Sequence, residues 1–231
     1  MQKLISEQFG ENLQHDTCEA LEIILENLHR ETRLDCKACE SQKSLAVAAG
    51  VVVGPGVYEC SPIYGRFRGW MEVVGSRTQR EMFLSLRVAP KGKKPLAELL
   101  QESYSGRVSR LPSVLLVEIA RHSADGRQIM SQTGVGFDEV IDLSDLLISK
   151  EKEESTPLYR LQSVIVRSGL YSHTGHYWTI QKSPLQTWNL INDEVLTKIE
   201  LEGIRAISSE LDAEHNCCLL VYVVDSAAKR R

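Results

Sequence analysis

From Pro112 onward the chain is written in short apolar runs. Ser113-Val114-Leu115-Leu116-Val117-Glu118-Ile119, Ser163-Val164-Ile165-Val166 and Cys218-Leu219-Leu220-Val221-Tyr222-Val223-Val224 are the clearest. Runs of about four to eight β-branched and aliphatic residues, without helical spacing, fit strands buried on both faces. Residues 177–180 and 188–191 are shorter strand candidates, whereas Lys150-Glu151-Lys152-Glu153-Glu154-Ser155 reads as a solvated loop. The hairpin-like spacing predicts a mostly antiparallel sheet in this half of the chain.

The first half reads differently. Ala20, Leu21, Ile24, Leu25 and Leu28 recur at helical spacing, Asp16 or Thr17 can cap the N-terminus, and Arg30 and Arg33 stand near the end. One amphipathic helix is therefore expected over 16–33. Residues 41–65 are irregular, with turns at 54–56 and 62–65. Met82-Phe83-Leu84-Ser85-Leu86-Arg87-Val88 alternates as a single strand would. A second helix is expected to start at Pro95, bury Leu96, Leu99, Leu100 and Tyr104, and stop at Gly106. Helices early and antiparallel strands late make the class α+β.

Net charge narrows the partners. At −4, the chain as a whole has no attraction for nucleic acid or an anionic membrane, and its basic runs, 91–94 and 229–231, are short. No stretch has the eighteen or so uncharged apolar residues that a membrane span needs, and residues 1–7 lack a signal-peptide core. The six cysteines are accordingly expected to be reduced thiols of the cytosol or nucleus.

Four segments, in order, carry a resemblance. Gln14-His15-Asp16-Thr17-Cys18-Glu19-Ala20-Leu21, continuing to Leu28-His29-Arg30-Glu31, is similar to a glutamine box. Leu111-Pro112-Ser113-Val114-Leu115, running to Arg121, is similar to a Leu-Pro strand that ends in a basic residue. Residues 159–169 followed by Gly175-His176-Tyr177 resemble a histidine box, and Trp188-Asn189-Leu190-Ile191-Asn192-Asp193-Glu194-Val195 resembles the segment holding the third member of a catalytic triad. The closing Leu219-Leu220-Val221-Tyr222 is similar to a last strand. Together they identify the chain as resembling the ubiquitin-specific proteases, from the glutamine box onward.

The resemblance implies a papain-like cysteine protease fold of fingers, palm and partial thumb. It divides the chain into an end of the thumb at 1–34, a fingers-like stretch at 35–110 and a palm at 111–231. It also implies thiol-dependent cleavage of the bond after the ubiquitin C-terminal glycine, with ubiquitin or ubiquitinated proteins as partners and no cofactor. His176 would be the general base and acid, because an imidazole both accepts and donates near neutral pH. Asn192 would accept from its far ring nitrogen, with Asp193 as the alternative. Gln14, Asp16 and Tyr177 would hold the ubiquitin tail. Tyr177 and Trp188 either wall a narrow slot or pack in the core, and Gly169 and Gly175 would shape the loop over that tail.

The pattern is broken at several places. Arg167 stands where the family carries a histidine, and Arg121-His122 replaces a basic-aromatic pair. The family's cysteine box lies well upstream of the glutamine box, so this chain is expected to lack it. Cys18, at a helix N-terminus, is the alternative nucleophile, although its interval to His176 is shorter than the family allows. Cys36-Lys37-Ala38-Cys39 is half a zinc site, with only Cys60 and His29 nearby in sequence to complete it, so no metal is expected. Two functions follow as expectations: a deubiquitinase lacking its nucleophile segment, or an inactive ubiquitin-binding module.

Overall fold

The computed structural model describes residues 16–33, 60–74, 78–91, 94–121, 134–148, 158–171, 174–199 and 217–225. Helix α1, Thr17–Glu31, begins where Asp16 accepts hydrogen bonds from the Cys18 and Glu19 amides, leaving fewer orphan donors in its first turn. Cys18, Leu25 and His29 are its buried face. His29 stacks on Tyr64 with ring centroids 3.5 Å apart, and its Nδ1 meets Ser61 Oγ at 2.8 Å. Ser61 also caps the short helix α2, Pro62–Phe67, by accepting from the Tyr64 amide.

Strands β1 (Gly69–Val74), β2 (Thr78–Phe83) and β4 (Val108–Arg110) form a small sheet in the order β2-β1-β4. Gly69 pairs with Phe83, and a Cβ there would run into the Phe83 ring. The residues expected to form one strand from 82 to 88 form two. The backbone bends at Leu84, after which β3 (Ser85–Val88) leaves the small sheet and pairs in parallel with β5 (Val114–Ile119). A single strand cannot serve two sheets without such a bend, and alternation alone does not reveal it.

Helix α3, Leu96–Tyr104, takes Pro95 as its cap and so begins one residue after the expected start. It buries Leu96, Leu99 and Leu100, and Gly106 follows it at φ +66°, a left-handed conformation that glycine adopts cheaply. The Tyr104 hydroxyl donates to the Arg87 carbonyl at 2.7 Å, tying the helix to β3.

The large sheet has eight strands. Its main order is β10-β9-β8-β7-β11-β5-β3, and β6 (Val140–Asp142) pairs with one end of β7. Here β7 is Leu158–Tyr171, β8 Thr174–Lys182, β9 Trp188–Asn192, β10 Val195–Ile199 and β11 Cys217–Val224. Every pairing except β3 with β5 is antiparallel. Thus β3 and α3, from the stretch read as fingers-like, sit on this sheet. One face holds the main core, including Leu115, Val117, Val164, Val166, Ile180 and Leu220. The other carries Leu116, Ile165, Leu219 and Val221 against α1 and α2. Arg121 ends β5 as a buried anchor, its Nε donating to the Cys217 carbonyl at 2.7 Å.

Candidate active site

Strands β8 and β9 form a hairpin whose pairing runs from Lys182 opposite Trp188 to Thr179 opposite Ile191. Beyond that last pair stand His176 on β8 and Asn192 at the end of β9. His176 Nε2 lies 2.5 Å from Asn192 Oδ1, so the ring N–H donates to the amide carbonyl. Asp193 follows at φ 50°, an uncommon conformation for a residue with a Cβ, and begins the turn into β10. Its Oδ2 is 3.7 Å from the same Nε2, a longer approach than the asparagine's. His176 and Asp193 are both exposed.

A neutral imidazole that donates from Nε2 carries its lone pair on Nδ1. Among the described residues Nδ1 makes no hydrogen bond, so it is the atom that can take a proton. The arrangement is a base oriented by a neutral acceptor and open to a reactant on its other side.

Tyr177, the next residue of β8, faces away from His176, because successive side chains of a strand point to opposite faces. It hydrogen-bonds with Thr17, the first residue of α1. Burial raises the Tyr177 pKa; the Thr17 bond works against that rise, and the nearby Asp16 carboxylate adds to it. The structure thus brings Asp16, Thr17 and Tyr177 together at the junction of α1 with the sheet. Asp16 is also the helix cap. Gln14 lies outside the described residues, as do Cys36, Cys39 and the loop at 150–155.

Trp188 is a core residue, 1% exposed at the opposite end of the hairpin from His176, and it walls no slot beside the histidine. Its neighbour is Lys182, whose Nζ lies 5.5 Å from the indole ring and donates to Glu139 at 2.7 Å. Cys18 is buried. Its Sγ faces the Cys218 carbonyl at 3.6 Å, and its pKa is pushed far up, by burial first and then by Asp16. The helix N-terminus that would activate this thiol is capped by a carboxylate, and the low-dielectric surroundings favour the neutral form. Cys217 and Cys218 are both buried. No described thiol stands within hydrogen-bonding distance of His176. His29 is buried, stacked on Tyr64 with its Nδ1 at Ser61 Oγ.

Two contributors escaped the sequence reading. Thr17 meets Tyr177 across 160 positions, and no local pattern announces such a contact. Arg167 stood out only as a departure. It is 5% exposed and holds its guanidinium 5.6 Å from the Tyr177 ring centroid.

Residues 1–222 match the profile of the ubiquitin carboxyl-terminal hydrolase family, and the chain belongs to that family. It is 28% identical over 98 residues to ubiquitin carboxyl-terminal hydrolase 25 of Arabidopsis thaliana, covering 42% of this chain and 14% of that protein. It is 36% identical over 72 residues to ubiquitin carboxyl-terminal hydrolase 1 of the same plant, covering 30% and 7%. In three dimensions it resembles the yeast SAGA DUBm, with a TM-score of 0.68 and 22% identity, over 92% of this chain and 49% of that one. A SAGA DUB module bound to monoubiquitin gives a TM-score of 0.67 at 19% identity, over 96% and 52%. The fold is therefore that of these deubiquitinating modules, and the chain spans about half the length of the solved relatives.

Proposed function

We propose that this member of the ubiquitin carboxyl-terminal hydrolase family supplies the base half of a thiol deubiquitinase site. In the whole protein a cysteine outside the described residues delivers its proton to His176 Nδ1 and attacks the carbonyl of the ubiquitin C-terminal glycine. His176 then returns the proton to the leaving amine, and a water activated by the same ring clears the thioester. Asn192 holds the imidazole in the tautomer this sequence requires. Asp16 and Tyr177, with Gln14, receive the ubiquitin tail. The observation that carries the reading is the His176 Nε2 to Asn192 Oδ1 contact at 2.5 Å, with Nδ1 left for the thiol. The burial of Cys18 argues against a nucleophile within α1.

The test is hydrolysis of ubiquitin carrying a fluorogenic leaving group. The whole protein should lose about 10² to 10⁴-fold in kcat/KM on His176→Ala. This chain alone should be inactive. Activity of the chain that disappears in Cys18→Ser would overturn the assignment of the nucleophile. A second reading, a ubiquitin-binding module without chemistry, draws on the absence of a described thiol near His176. It requires the whole protein to be inactive while the chain still binds ubiquitin, with a Kd of roughly micromolar to millimolar.

A further inference from the structure

The backbone on either side of His176 is held from behind by a buried cation. Arg167 pairs with Tyr177 across β7 and β8, so the two share the sheet face that α1 covers. Gly175 has the same parity and would point a side chain to that face. A Cβ on Gly175 would stand 2.7 Å from Arg167 Cζ, 2.7 Å from Nη2 and 2.8 Å from the Ser168 carbonyl oxygen. The guanidinium therefore lies in the space that the missing side chain leaves, with its Cζ 5.6 Å from the Tyr177 ring centroid. Ser168, the next residue of β7, pairs with His176, and its Oγ donates to the His176 carbonyl at 3.4 Å. On the front face of the same three residues His176 reaches Asn192.

We propose that Arg167 is a positioning residue for His176, its buried guanidinium wedged between Gly175 and Tyr177 and fixing the backbone from which the imidazole projects. The inference rests on the reading of His176 and Asn192 as a catalytic pair. Burying a guanidinium is costly unless it is well packed and bonded, so its burial selects one local conformation over looser ones. A plane that stacks on an aromatic ring and covers a glycine is a geometry arginine offers and lysine does not.

The test uses the chain as it is, with 15N-labelled histidine, and reads the ring-nitrogen shifts of His176. These shifts report its tautomer and the Nε2–H bond to Asn192, which a purely structural role for Arg167 would not move. Asn192→Ala should abolish the hydrogen-bonded signature. Arg167→Ala should abolish it too, while the backbone resonances of β5 and β11 stay in place. Arg167→Lys, which keeps charge and stem but loses the plane, should restore it in part. If Arg167→Ala keeps the wild-type signature on an intact core, the wedge is overturned. If that variant does not fold, Arg167→Met decides, because it keeps the apolar stem and removes only the guanidinium: a lost signature supports the wedge and a retained one overturns it. If Asn192→Ala changes nothing, the catalytic pair fails, and that failure is separate from the result at Arg167.

Discussion

The two ends of the β8–β9 hairpin are built by opposite rules. At one end Trp188 is 1% exposed, Lys182 is buried against its ring, and Glu139 closes the charge. At the other end His176 and Asp193 are exposed, and the polar contact there is a bond between side chains of neighbouring strands. The buried end binds the hairpin to the core and does no chemistry. The exposed end contributes little to stability, because its side chains bury little surface; the proposed role of His176 asks for this, since a group that receives a reactant cannot also be enclosed. The difference teaches that the hairpin is anchored at one end and open to solvent at the other.

Five substitutions and one titration test this contrast. Trp188→Ala should cost about 3 to 5 kcal/mol in urea unfolding, the range for deleting a large buried aromatic. A loss near that of a surface change would show that the indole anchors nothing. Glu139→Ala leaves the Lys182 ammonium buried without its partner and should cost about 2 kcal/mol, less than for a fully enclosed pair because Glu139 is part-exposed. Equal stability of Glu139→Ala and wild type would mean that water already screens that pair.

The titration concerns the thiols on the α1 face. Burial raises the pKa of both Cys18 and Cys218 well above the ordinary thiol range. Their folded pKa values exceed the unfolded ones, so their contribution is complete below about pH 9 and is lost as pH rises beyond it. The unfolded chain then binds fewer protons than the folded one, and stability falls by about 1 kcal/mol per pH unit per thiol. Urea midpoints compared at pH 8 and pH 10 should show the drop, and Cys18→Ala should lessen it by one thiol's share. At the reactive end, His176→Ala and Asn192→Ala should each change stability by no more than about 0.5 kcal/mol. A cost of several kcal/mol at either position would erase the contrast between the two ends. An effect of the opposite sign is expected at the turn. Asp193→Gly relieves a positive φ and should stabilise by a few tenths to about 1 kcal/mol.

The sequence disclosed these regions unequally. Helix α1 was legible because a side-chain cap and an apolar stripe are local signals, and β5, β7 and β11 because strands buried on both faces are written in unbroken apolar runs. The β10 strand was not legible: Val195 and Leu196 are exposed at 62% and 67%, so its burial carries no alternation. The split at Leu84 depends on which sheet each half joins, a tertiary choice that overrides local pattern. His176 and Asn192 were found through motif order rather than any propensity. The Arg167 wedge needed coordinates, since an arginine in a strand gives no sign that its guanidinium will fold back over a glycine eight positions on.

Strand β11 lies between β7 and β5 in the sheet, yet it is the last described strand in the chain. During synthesis from the N-terminus, β5 and β7 leave the ribosome long before residues 217–224 exist, and each waits with an unpaired edge. The sheet can be completed only once its keystone arrives, so nascent chains pass through a stage with two adhesive edges and no native way to satisfy them. A stop codon just before Cys217 would therefore remove the middle of the sheet rather than trim an end, and its product should be recovered from cells as aggregate.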